Sequence, residues 1–205
     1  MARTLRYALP LALLLSFLAS PAQAVVGQIF RGQIAFSTWF QSYDTSGCIM
    51  TGARTVALNG TMQNLPGPPT PSGNAFIEVI QYDVCQSTYL FLADGFPNLG
   101  ASDLRFSPNL GGAVFDATVQ LCDEFNPSSC FPFTIDLTWT PTGPITRQSS
   151  HMVLHTGTSV LILHDHITTR AAQVAGVITD GATNFTQNAT DGALTSQGSW
   201  FIQAG

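Results

Sequence analysis

The stretch Phe133-Thr134-Ile135-Asp136-Leu137-Thr138-Trp139 alternates strictly, with apolar residues at the odd positions and polar residues at the even ones. Successive side chains of a β-strand point to opposite faces, so this stretch predicts a strand with one buried and one wet face. Such a strand is typical of an antiparallel sheet, which commonly packs one side on a core and leaves the other in water.

Other short stretches rich in Val, Ile, Phe and Thr recur along the chain, and helical periodicity is nearly absent. Two proline-rich segments, residues 59–73 and 141–144, are expected to be a loop and a turn. About ten strands with turns roughly every 8 to 12 residues predict a single antiparallel β-sandwich or β-barrel, and the pattern leaves both open. The predicted strands are residues 28–40, 48–58, 75–82, 86–93, 102–106, 113–121, 131–140, 149–156, 159–168, 171–178 and 193–202.

The N-terminus has the three parts of a secretory signal peptide. Arg3 and Arg6 precede an apolar run at residues 7–19, and Ser-Pro-Ala-Gln-Ala at residues 20–24 ends in a small-x-small cleavage pattern. The apolar run is shorter than the roughly 20 residues that span a bilayer. We therefore predict cleavage after residue 24, one domain over residues 25–205, no transmembrane helix and a secreted or periplasmic location.

The charge of the chain argues against nucleic acid as a partner. The chain has 7 basic and 12 acidic residues, and every basic residue is Arg, a bias that suggests a GC-rich bacterial genome. Removal of Arg3 and Arg6 would leave 5 basic residues against 12 acidic ones, a formal net charge of −7. Scattered arginines in an acidic chain offer no stripe for phosphates. Because only 9% of residues are charged, Thr, Ser, Asn, Gln and Gly must cover most of the surface, as in extracellular β proteins.

The chain contains four cysteines: Cys48, Cys85, Cys122 and Cys130. An even number behind an export signal predicts two disulfides. Cys122 and Cys130 flank a turn-rich insert, so adjacent strands would bring them together. We therefore predict the pairs Cys122–Cys130 and, by elimination, Cys48–Cys85. Metal binding by the cysteines is the alternative, although C-x-x-C spacing is absent.

All four histidines lie within 16 residues: His151, His155, His164 and His166. If Gly157-Thr158 is the tip of a hairpin, His151 lies opposite His164, with His166 two residues further on the same face. Three imidazoles on one face would form an open site for zinc or copper. The alternative is that these histidines are ordinary surface residues or satisfied core residues, since a slipped register would separate them.

No catalytic motif is present, and Glu78 is only a weak candidate for a general acid, because an Arg partner would explain it equally well. The three tryptophans, Trp39, Trp139 and Trp200, are expected to pack in the core rather than to form a carbohydrate-stacking platform. We therefore expect a non-catalytic module for surface association or ligand binding, with cell surfaces or polysaccharides as possible contacts. The alternatives are a secreted metal-binding protein or metalloenzyme that uses the His cluster, and a small outer-membrane β-barrel.

Overall fold

The computed structural model describes residues 27–156 and 159–204, so the predicted signal peptide and the hairpin tip Gly157-Thr158 lie outside the described residues. The described chain is almost entirely β-strand, with one short 3-10 turn at Pro108–Leu110. Within these residues, no helix is long and apolar enough to cross a membrane. The strands are β1 (Gly27–Tyr43), β2 (Ile49–Asn64), β3 (Pro69–Asp83), β4 (Thr88–Gly95), β5 (Leu104–Phe106), β6 (Ala113–Asp123), β7 (Cys130–Thr156), β8 (Ser159–Thr179) and β9 (Asn184–Ala204).

All nine strands belong to one antiparallel sheet, in the order β4-β3-β2-β1-β9-β8-β7-β6-β5. Strand β4 also pairs with β6, through Ala93 with Asp123 and Asp94 with Cys122. Eight strands therefore follow one another around a closed circuit, and β5 is attached beside β6. This architecture confirms the predicted all-β antiparallel class, with nine strands where about ten were expected.

The hydrophobic core lies inside this circuit. The four apolar residues of the alternating stretch, from Phe133 to Trp139, are at most 1% exposed, as the pattern predicts. Trp139 also donates its indole N–H to the carbonyl oxygen of Phe36 at 2.9 Å, which links β7 to β1 across the interior. The other large side chains that are fully buried include Phe115, Phe185, Ile77, Leu104, Leu121, Ile178 and Leu194.

Six strands continue beyond the closed part as an open sheet. Residues 145–156 of β7 pair there with residues 159–170 of β8, and β9, β1, β2 and β3 follow in order. One face of the open sheet continues the interior of the circuit, and we call it the inner face. Its central residues are Ile29, Arg31 and Gln33; Asn59, Thr61 and Gln63; Arg147, Ser149 and His151; His164, His166 and Thr168; and Ser196, Gly198 and Trp200.

An irregularity in β9 decides which of its residues reach the inner face. Ala172 pairs with Gly192, whereas Val174 pairs with Ala189, so β9 has one more residue than β8 across this step. The residues of β9 that face the core therefore have odd numbers before the bulge and even numbers after it. The bulge requires a residue without a side chain at position 192. A Cβ there would lie only 2.9 Å from the carbonyl oxygen of Phe36 and 3.0 Å from that of Ala172, which is too close.

Two predicted loops are wrong. Residues 59–73, expected to be a loop, form the ends of β2 and β3 around a short turn at residues 65–68. Their prolines are compatible with a sheet because Pro69 and Pro71 lie at the edge, where no further strand needs their missing N–H. Residues 141–144, expected to be a turn, lie within β7 at a register shift, so a bulge replaces the break in the strand.

The cysteines pair as the sequence predicts, Cys48 with Cys85 and Cys122 with Cys130. Cys48 and Cys85 lie just before β2 and just after β3, so this bond joins the ends of two paired strands. Cys122 and Cys130 are register partners of β6 and β7. Both bonds are compatible with an oxidising compartment outside the cytosol.

The two disulfides should differ in their contribution to stability. The sequence separations are 37 residues for Cys48–Cys85 and 8 residues for Cys122–Cys130. From loop-closure entropy, the paired replacement Cys48→Ala/Cys85→Ala should lower the free energy of unfolding by roughly 4 kcal/mol, and Cys122→Ala/Cys130→Ala by roughly 2.5 kcal/mol. Urea denaturation of both variants measures the difference, and a larger loss for the shorter loop would contradict this account.

Candidate functional site

The inner face of the open sheet contains a shallow recess of about 590 Å³. It lies over the centre of the sheet, where residues of β8, β9, β1 and β2 are paired side by side. The side chains around it come from residues that are far apart in the sequence. They include Arg31, Gln33, Asn59, Thr61, His166, Thr168, Ser196 and Trp200.

The recess exists because the residue at its centre has no side chain. Gly198 is paired with His166 on one side and with Arg31 on the other. A Cβ at Gly198 would make only ordinary van der Waals contact with the Trp200 ring, at 3.7 Å or more. A small side chain at this position would therefore occupy part of the recess, and its Cβ would not collide with the backbone.

Most residues that line the recess have polar side chains, and none of them carries a carboxylate. Gln33, Thr168 and Ser196 offer amide and hydroxyl groups, and the side-chain amide of Asn59 donates to the carbonyl oxygen of Leu104 at 3.0 Å. Arg31 is exposed at its rim. The inner face as defined above has two arginines and neither Asp nor Glu, so it is locally basic in a chain of formal net charge −5.

An aromatic cluster borders the recess on the side of the β7–β8 hairpin. The ring centroids of His151 and His164 are 5.4 Å apart, and those of His164 and His166 are 4.7 Å apart. The Trp200 ring contacts His164 at 5.7 Å and His166 at 5.5 Å between centroids. His151 and His166 are exposed, whereas His164 and Trp200 are half-buried, so the cluster presents its rings to solvent.

The predicted hairpin register is confirmed, since His151 pairs with His164, and His155, paired with Val160, lies nearer the tip. The interpretation of these residues as core histidines is wrong, because His151, His155 and His166 are exposed and His164 is half-buried. Asp165 pairs with Ser150 and lies on the opposite face, as expected from alternation. In the described residues, no group of three or more His, Cys, Asp or Glu side chains is already arranged to hold a metal ion.

The tryptophans divide between core and surface. Trp139 is buried as predicted, Trp39 is half-buried, and Trp200 lies on the inner face beside the histidines, which corrects the expectation that all three pack in the core. Glu78 forms an ion pair with Arg54, whose guanidinium also lies 5.1 Å from the centroid of the Phe76 ring. The Arg partner considered for Glu78 from the sequence is therefore present.

Comparison with known proteins finds no matching family model, no similar curated protein and no similar solved structure. The geometry of the inner face is therefore the basis for any functional inference.

Sequence reasoning found the histidines but missed most of the recess. The polar residues that alternate along β1 and β9, such as Gln33 and Ser196, were a signal that this face is wet rather than buried. Two facts beyond alternation were needed to assemble them. These are the pairing of β1 with β9, which joins the two ends of the described chain, and the bulge at Gly192.

The two glycines near the recess should respond differently to a side chain. Gly198→Val should change the free energy of unfolding by no more than about 0.5 kcal/mol, because the site is open and Val suits a strand. Gly60→Val should destabilise the protein by about 2 kcal/mol or more, because its Cβ would lie 2.6 Å from the carbonyl oxygen of Arg31. Urea denaturation compares them, and a large loss from Gly198→Val would show that the recess is filled in the native protein.

Proposed function

We propose that this protein is a secreted or periplasmic, non-catalytic module that binds polysaccharide in the recess on the inner face of its open sheet. The observation that carries this proposal is a solvent-open recess lined mostly by residues with polar side chains, with Trp200 at its border. The sequence supports export through its predicted signal peptide, and the two disulfides are compatible with it.

The chemistry of the recess suits a sugar chain. Amide and hydroxyl side chains such as Gln33, Thr168 and Ser196 can donate to and accept from sugar hydroxyls. Trp200 supplies an apolar ring with a polar N–H, a combination that suits a partner with apolar patches and hydroxyl groups. The recess is open rather than enclosed, so a polymer could cross it without threading an end.

The charge of the inner face favours an acidic polysaccharide over a neutral one. Arg31 lies at the rim of the recess and Arg147 lies on the same face, and neither has a carboxylate beside it on that face. An arginine can bind a carboxylate through two parallel hydrogen bonds. Uronate-containing chains such as alginate therefore fit better than dextran.

Binding should depend on Trp200. Trp200→Ala should weaken retention of the mature protein in alginate-containing gels at least about tenfold, because tryptophan contacts commonly dominate such interfaces. Affinity electrophoresis across a series of alginate concentrations gives the dissociation constants. Gly198→Val should also reduce retention, since it fills the recess while preserving the fold.

Tyr43→Ala is the matched control, because Tyr43 is 57% exposed and lies ten residues along β1 from Gln33, away from the recess. It should leave retention unchanged. Dextran gels test the preference for charge, and binding that is equal in both gels would remove the acidic assignment. Absence of retention in both gels, or equal retention of wild type and Trp200→Ala in alginate, would contradict the proposed function.

A further inference from the structure

We propose that His151, His164 and His166 form a binding site for Zn²⁺ or Cu²⁺ at the border of the recess. The site goes beyond polysaccharide binding and does not require it. The pairing of β7 with β8 places His151 directly opposite His164, and His166 follows two residues later on the same face. A backbone arrangement of this kind holds three imidazole side chains within reach of a single ion.

Two of the three ring separations in the histidine cluster are close to that of imidazoles that share one ion. Zinc–nitrogen bonds are about 2.0–2.1 Å long, so two imidazoles on a tetrahedral ion have centroids about 5 Å apart. The separations of 5.4 Å for His151–His164 and 4.7 Å for His164–His166 lie on either side of this value. The rings now pack edge to face, so binding needs rotation about side-chain bonds, which the exposure of His151 and His166 allows.

The set of donors selects the metal. Three imidazoles without a carboxylate suit zinc and copper and are poor ligands for calcium or magnesium, which prefer oxygen. Asp165, the nearest acid in sequence, lies on the opposite face of the sheet and does not contribute. A three-histidine site leaves a coordination position open to water or to a ligand in the recess.

Trp200 provides a built-in reporter for this site. Its ring lies 5.7 Å from His164 and 5.5 Å from His166 between centroids, so a Cu²⁺ ion on these histidines would be close enough to quench its fluorescence. Trp139 is buried inside the closed part of the sheet and should be much less affected.

The test uses the mature protein, purified without a His tag and stripped with EDTA, and titrated with Cu²⁺ and Zn²⁺ alone. Calorimetry should give one ion per chain, and Cu²⁺ should quench a large part of the tryptophan emission. The double variant His164→Gln/His166→Gln should bind at least about 100-fold more weakly, since even loss of groups that only orient ligands costs 10–100-fold. His155→Gln, on the same face but nearer the tip, should bind like wild type.

Two further measurements keep the result independent of folding defects. Trp200→Phe should retain Cu²⁺ binding by calorimetry while losing most of the quenching. Electron paramagnetic resonance of the Cu²⁺-loaded wild type should show coupling to three imidazole nitrogens. The proposal is overturned if wild type binds neither ion, if His155→Gln is as damaging as the double variant, or if the spectrum shows oxygen ligands only.

The metal site and the polysaccharide site can fail separately. Metal titration contains no polysaccharide, and gel retention can be measured in EDTA. Retention in EDTA without metal binding would leave the proposed function intact and remove the metal site. Metal binding without retention by any polysaccharide would leave the metal site intact and remove the proposed function.

Discussion

The antiparallel pairing of β7 with β8 is the constraint on which the candidate site depends. These strands remain paired from Thr134 with Thr179 in the closed part to Thr156 with Ser159 near the tip. One end of the pair buries Leu137 and Val174 in the core, and the other carries the histidines into the open sheet. Because side chains alternate along a strand, the packing of the core fixes which residues face the recess. The register shifts by two residues between Pro141 and Ile145, so the alternation of side chains is kept across the shift. The pair thus serves stability at one end and exposes chemical groups at the other.

The change from core to recess occurs where the strands leave the closed circuit, since no other described strand packs over the inner face of the open sheet. Inside the circuit, the inner face meets side chains from the far side and is apolar, as at Ala35 and Leu194. Two residues further along each strand, the same face carries the half-buried polar residues Gln33 and Ser196. Arg170 lies at this boundary, and its guanidinium donates to the carbonyl oxygens of Gly143 and Leu110 at 2.8 and 3.4 Å. The arginine thereby closes the end of the core with satisfied polar contacts.

Much of the fold could be predicted from the sequence, because alternation and cysteine spacing are local signals. The buried face of Phe133 to Trp139, both disulfides and the facing of His151 and His164 are all present in the structure. The loop and the turn predicted from prolines at residues 59–73 and 141–144 are wrong, since an edge strand or a bulge can accommodate proline without ending the sheet. The recess could not be predicted, because it depends on contacts between strands that are distant in sequence. Its tryptophan reaches the inner face only because the bulge at Gly192 reverses the alternation of β9.

The central claim is that β7, β8 and β9 bring the histidines and Trp200 to one exposed face. Nuclear Overhauser contacts between the ring protons of these residues test it most directly. The account predicts contacts from the Trp200 indole to both His164 and His166, together with a contact between His151 and His164. If the Trp200 indole instead shows contacts to residues of the opposite face, such as Asp165, β9 is out of phase and the proposed sites do not exist in the form described.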